Sequence, residues 1–103
     1  MHLFKGDFSE PGLYYVNVEW CGHCRRARPM VEELSNELGG ALAVYDVDGD
    51  TWGPAMKQRF GAKAPTSYPT IMHISPDGQI VQFNDERTAR NLRDFACDVS
   101  GSC

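Results

Sequence analysis

Residues 13–20, LYYVNVEW, are rich in β-branched and aromatic side chains and read as a buried strand. The chain then changes period. Ala27, Val31, Leu34 and Leu38 recur at helical spacing, while Glu32, Glu33 and Glu37 fall elsewhere on the wheel. Pro29 lies inside this helix and is expected to kink it, because proline lacks the N–H and crowds the preceding turn. Gly39 and Gly40 end it, and ALAVYDVD, 41–48, is a second strand. Strand, crossover helix and strand form a βαβ unit. Such crossovers are right-handed and place the two strands in parallel.

The rest of the chain closes the same sheet. A helix is expected after Gly49, with Asp50 or Thr51 as its N-cap and Gly61 as its stop. AKAPTSYP, 62–69, is a loop with two prolines. TIMHI and QIVQF flank the turn SPDG as a hairpin, and a last helix over about 86–98 turns Ala89, Leu92, Ala96 and Val99 inward. The expected order is β-α-β-α-β-β-α, a mixed sheet with helices on both faces. A short extra strand is expected at His2 to Phe4. At 103 residues, the expectation is a single domain over 1–103.

Composition narrows the function. With 42% hydrophobic and 23% charged residues the chain suits a globular fold. A net charge of −4 gives no field that favours nucleic acid. The basic run Arg25, Arg26, Arg28 reads either as a solvated helix face or as a local polyanion contact. No segment approaches the ~18 apolar residues of a membrane helix, and no leader is visible. The default expectation is a cytoplasmic monomer, unless a leader has been removed.

Two of the four cysteines, Cys21 and Cys24, are separated by Gly22 and His23, just after the first strand and at the start of the first helix. Free backbone N–H groups and the positive end of the helix dipole converge at such a point and stabilise a thiolate. A Cys-x-x-Cys beside a βαβ pattern reads as a redox centre. Cys21 is then the exposed nucleophile and Cys24 the resolving thiol. A zinc site would want a second close pair, whereas Cys97 and Cys103 are wider apart and His2, His23 and His73 are scattered. A structural staple would constrain little chain. No metal or cofactor is expected.

WCGHC at 20–24, followed by Pro29 and then YPT at 68–70, resembles the thioredoxin superfamily. The Gly-His dipeptide and the tyrosine before the proline make the chain most similar to a catalytic domain of protein disulfide isomerase. FNDERTARNLRDF, 83–95, resembles the arginine-containing segment of those domains. The resemblance covers about residues 13–98 and implies a three-layer thioredoxin-like α/β fold. It implies that Pro69 is cis and faces Cys21, and that Tyr68 and Pro69 bind an extended substrate segment beside Trp20. It also implies that His23, as imidazolium or N–H donor, stabilises the Cys21 thiolate, with Gly22 completing the tuning dipeptide. Arg87 matches an arginine that swings towards the second cysteine, although Asp85 and Glu86 beside it could hold it elsewhere.

The implied activity is formation, isomerisation or reduction of protein disulfides. Protein or peptide thiols would be substrates, and glutathione or another thiol–disulfide couple would be the redox partner. A thioredoxin-like reductase and a non-catalytic binding module are the alternatives. Three departures from the family pattern stand out. Tyr15 occupies the position of a buried acid that serves the second cysteine. The stretch Val44 to Asp46 lacks that acid's lysine partner. The N-terminal strand and helix are shortened or absent, which would leave strand 41–48 at or near a sheet edge and open to pairing with another chain. Cys97 and Cys103 are a candidate second disulfide, if the tail folds back far enough.

Overall fold

The computed structural model describes residues 1–101. Five strands and three α-helices follow in the order β1 (His2–Leu3), β2 (Gly12–Asn17), α1 (Gly22–Leu38), β3 (Val44–Asp48), α2 (Gly49–Phe60), β4 (Thr70–Ile74), β5 (Ile80–Gln82) and α3 (Ala89–Ser100). A short 3₁₀ turn, Gly61–Lys63, links α2 to the loop before β4.

The sheet order is β1-β3-β2-β4-β5. β2 pairs in parallel with β3 and antiparallel with β4, so the βαβ unit and the closing hairpin share the central strand. The near-continuous apolar character of β2 follows from this place, since both of its faces are covered. Successive side chains serve opposite cores. Leu13 and Tyr15 pack with Ala27, Val31 and Leu34 of α1 and with Leu92 and Ala96 of α3. Tyr14 and Val16 pack on the other face with Met56 of α2, Phe4 and Phe8. The result is a three-layer open sheet, with α1 and α3 on one side and α2 on the other.

Several boundaries move from their expected places for local reasons. β2 stops at Asn17 because Val18 turns the chain: its carbonyl accepts from the Cys21 N–H at 3.3 Å. β3 starts at Val44, after a tight turn in which the Ala41 N–H bonds the Leu38 carbonyl. The cap of α2 is neither Asp50 nor Thr51 but Asp48, whose carboxylate accepts from the Asp50 N–H and the Thr51 hydroxyl. α3 begins later than expected because Thr88 caps it, accepting from the Asn91 N–H at 3.1 Å. α1 runs on through Pro29.

Before β2 the described residues form the two-residue β1, and no helix separates β1 from β2 among them. β1 nonetheless covers β3, pairing His2 with Tyr45 and Leu3 with Asp46. β3 is therefore an interior strand, and the sheet edges are β1 and β5. Cys97 is half-buried on α3, whereas Cys103 lies outside the described residues, and with it the expected second disulfide. No helix among the described residues is long and apolar enough to cross a membrane.

Candidate active site

Cys21 is the N-cap of α1. Its backbone is extended, and its sulfur accepts from the Cys24 N–H at 3.2 Å. Serine, threonine and aspartate caps satisfy a free helical donor in the same way. A sulfur in this role gains most when it carries negative charge, because the remaining first-turn N–H groups and the helix dipole favour an anion. Cys21 and Cys24 are both free thiols, the reduced form of the pair. Cys21 is buried and not exposed as the sequence suggested, because Val18 and Tyr68 pack around it: it keeps 8% of its surface and Cys24 only 2%.

The two thiols are driven in opposite directions. Cys21 is held below the usual thiol range by its contact with Cys24, against the opposing effect of burial. The backbone N–H groups of Cys24 and His23 and the charge of Arg25 add to the lowering. Burial pushes Cys24 up to about 11, and the hydrogen-bonded Cys21 pushes it in the same direction. The two thiols thus differ in how readily they ionise, Cys21 more easily and Cys24 less.

Across from Cys21 stands the cis Tyr68–Pro69 peptide, as the resemblance implied. The Cys21 sulfur is 3.7 Å from the Tyr68 carbonyl oxygen, a weak S–H donor contact. The Tyr68 ring is seated against α2, where a Cβ built on Gly49 would lie 2.5 Å from it. Only glycine leaves room for the ring there. Trp20 is 67% exposed beside the pair, its Nε1 donating to Asp50 at 3.0 Å and its ring edge-on to Tyr68. Its place is on the surface and not in the core. Gly22 opens the first turn of α1.

His23 meets Cys21 through its backbone N–H. Its imidazole Nδ1 instead lies 2.7 Å from Arg26 Nη2, a contact that the spacing alone did not reveal. Arg87 shares a cavity of about 360 Å³ with His23 and Arg26. Its charge lowers the Cys24 thiol, but less than burial raises it. No ion pair ties Arg87 to Asp85 or Glu86 among the described residues.

Tyr15, at the position of the family's acid, is buried on the α1 side of the sheet. Its hydroxyl donates to the Cys24 carbonyl oxygen. Burial holds the phenol up at about 12, so it stays a neutral donor and does not accept a proton. Arg28 lies 5.5 Å over its ring, 3.1 Å from Asp46, and 3.0 Å from the Asn17 side-chain oxygen. A cavity of about 460 Å³ brings Cys24 together with Glu19, Arg28, Asp46, Asp48 and Asp50. Acidic groups therefore line this cavity from the turn after β2, from β3 and from the start of α2. Sequence reasoning did not find the Asn17–Arg28–Asp46 group, whose members are 11 and 18 residues apart along the chain.

Comparison with known proteins agrees with this geometry. Residues 9–98 match the thioredoxin family. Protein disulfide-isomerase from Zea mays is 28% identical over 95 residues, 92% of this chain but only 18% of that protein. Thioredoxin from Listeria monocytogenes is 38% identical over 81 residues, 77% of this chain and 73% of that protein. The solution structure of the first thioredoxin domain of mouse protein disulfide-isomerase A4 superposes with a TM-score of 0.72 at 26% identity, covering 87% of this chain and 63% of that one. The chain thus spans less than a fifth of the maize isomerase, yet most of the bacterial thioredoxin. A Cys-x-x-Cys capping the crossover helix, a cis proline opposite it and a match across nearly the whole sheet agree: the chain belongs to the thioredoxin family.

Proposed function

We propose that this chain is a thiol–disulfide oxidoreductase of protein or peptide substrates, with isomerase and oxidase character. The observation that carries this reading is the Cys21 sulfur, held at the N-terminus of α1 and facing the Tyr68 backbone. In the reductive direction the Cys21 thiolate attacks one sulfur of a substrate disulfide. That S–S bond breaks, a Cys21–substrate disulfide forms, and the departing substrate thiolate takes a proton. Cys24, deprotonated, then attacks the Cys21 sulfur. The Cys21–Cys24 bond forms, the second substrate thiolate leaves, and two electrons have passed to the substrate. The reverse sequence oxidises a substrate dithiol. In isomerisation, another substrate thiolate displaces Cys21 before Cys24 acts.

The substrate would lie extended along Tyr68 and Pro69, like an added strand, with the exposed Trp20 ring as a side wall. Glutathione or another small thiol–disulfide couple would restore the pair. Arg87 would act on Cys24 by charge alone. A thioredoxin-like reductase is the second reading, favoured by the higher identity to the bacterial thioredoxin.

The potential of the pair separates the two readings: about −180 mV for the isomerase and about −270 mV for thioredoxin. The test has two parts. Insulin reduction should be lost when Cys21 is alkylated, and equilibration with glutathione should place the pair nearer the isomerase value. Activity that survives alkylation would remove the enzyme reading. A potential at the thioredoxin value would select the reductase.

A further inference from the structure

His23 and Arg26 lie three residues apart, hence side by side, on the exposed face of the first turns of α1. Arg26 Nη2 is 2.7 Å from His23 Nδ1. A guanidinium carries five N–H donors, has no acceptor and does not give up its proton. Nδ1 must therefore accept, and it carries no hydrogen. A neutral imidazole that accepts at Nδ1 has its proton on Nε2. An imidazolium would set N–H against N–H and positive charge against positive charge. Arg25 adds a second cation on the same element. Across the adjoining cavity, the loop before α3 contributes Asp85, Glu86 and Arg87, two acids and one base.

The surroundings of Cys21 agree. The groups that favour its thiolate include the Cys24 contact, the backbone N–H groups of Cys24 and His23, and the Arg25 charge. We propose that Arg26 is a positioning residue for the redox pair: by donating to Nδ1 it holds His23 neutral in the Nε2–H tautomer, so that arginine charge, and not an imidazolium, flanks Cys21. This rests on Cys21 being the nucleophile. Its consequence is a Cys21 thiolate whose reactivity does not follow the protonation of His23. Without Arg26, His23 is released to take a proton, and Cys21 acquires a neighbour whose charge depends on pH.

Long-range ¹H–¹⁵N spectra of the histidines test this, paired with iodoacetamide rates at Cys21 over the same pH range, in the unmodified protein, Arg26→Gln and Arg26→Lys. The unmodified protein should show an unprotonated Nδ1 and a protonated Nε2 at His23, with a single step in the rate profile. Arg26→Gln should mix the tautomers and add a second step of roughly threefold, the effect of a unit charge about 6 Å away in water. Arg26→Lys, which keeps a charged group that can only donate, whereas the glutamine amide can also accept, should resemble the unmodified protein. A protonated Nδ1 in the unmodified protein would overturn the proposal. So would glutamine-variant spectra and rates superimposable on it, or a lysine variant that behaves like glutamine. If Cys21 is unreactive in every protein, the oxidoreductase reading fails, while the spectra still decide the tautomer.

Discussion

A Cys24→Ser variant should accumulate as a covalent adduct with its disulfide substrate. Cys21 keeps its place as the cap of α1 and still attacks, but the neighbouring thiol that would release the product is gone. A well-placed intramolecular nucleophile reaches effective concentrations far above molar, whereas external thiols are used at millimolar levels. Release should therefore slow by about 10³-fold or more. The adduct is visible as a mass increase that added reductant removes. Cys24 is also hard to ionise in the unmodified protein. Burial is the first cause of its raised value, and the contact with Cys21 is the second. The second disappears once Cys21 is tied up in a mixed disulfide, so the resolving thiol becomes easier to ionise at the step that needs it. A Cys24→Ser protein that releases substrate at the unmodified rate would show that Cys24 is not the resolving group.

The largest stability loss is expected from Tyr14→Ala. Tyr14 is fully buried at the centre of the face that packs against α2. Its ring lies 5.1 Å from that of Tyr45 and 5.5 Å from that of Phe4, and its hydroxyl donates to the Glu10 carbonyl at 2.7 Å. Removing such a ring costs about 3–5 kcal/mol. A domain holds only about 5–15 kcal/mol in all, so this variant should sit close to unfolding. Tyr14→Phe removes one hydrogen bond and should cost only about 1 kcal/mol. Urea unfolding of the two variants separates the ring from the hydroxyl. A loss below about 1 kcal/mol for alanine would mean that this aromatic cluster does not hold the α2 face.

The strand–helix–strand core of this fold was legible because its signals are local. Residues 13–16, LYYV, show no polar face, and the central strand has none to show there. The apolar positions of α1 follow its own pitch, and Pro69 is announced by its motif. The place of Cys21 at the start of α1 was legible for the same reason, since strand end, cysteine and helix start are contiguous. What could not be read depends on register between distant segments. Asp46 meets Arg28 and Asn17 only because β3 aligns Asp46 with Tyr15 of β2. The two residues of β1 carry too little pattern to show that they would cover β3. The caps Asp48 and Thr88 were available in the sequence. They were displaced by the more conspicuous acids one or two positions away, Asp50 for one helix and Asp85 and Glu86 for the other. Nothing in the spacing of His23 showed that its ring would turn to Arg26.

The central claim is that Cys21 is an activated thiolate, and the rate of its alkylation by iodoacetamide as a function of pH tests it most directly. The Cys24 contact, the first-turn N–H groups and Arg25 together predict a midpoint clearly below the free-thiol value of about 8.5, with Cys24 unmodified throughout. A midpoint at or above that value, or Cys24 reacting first, would contradict the account.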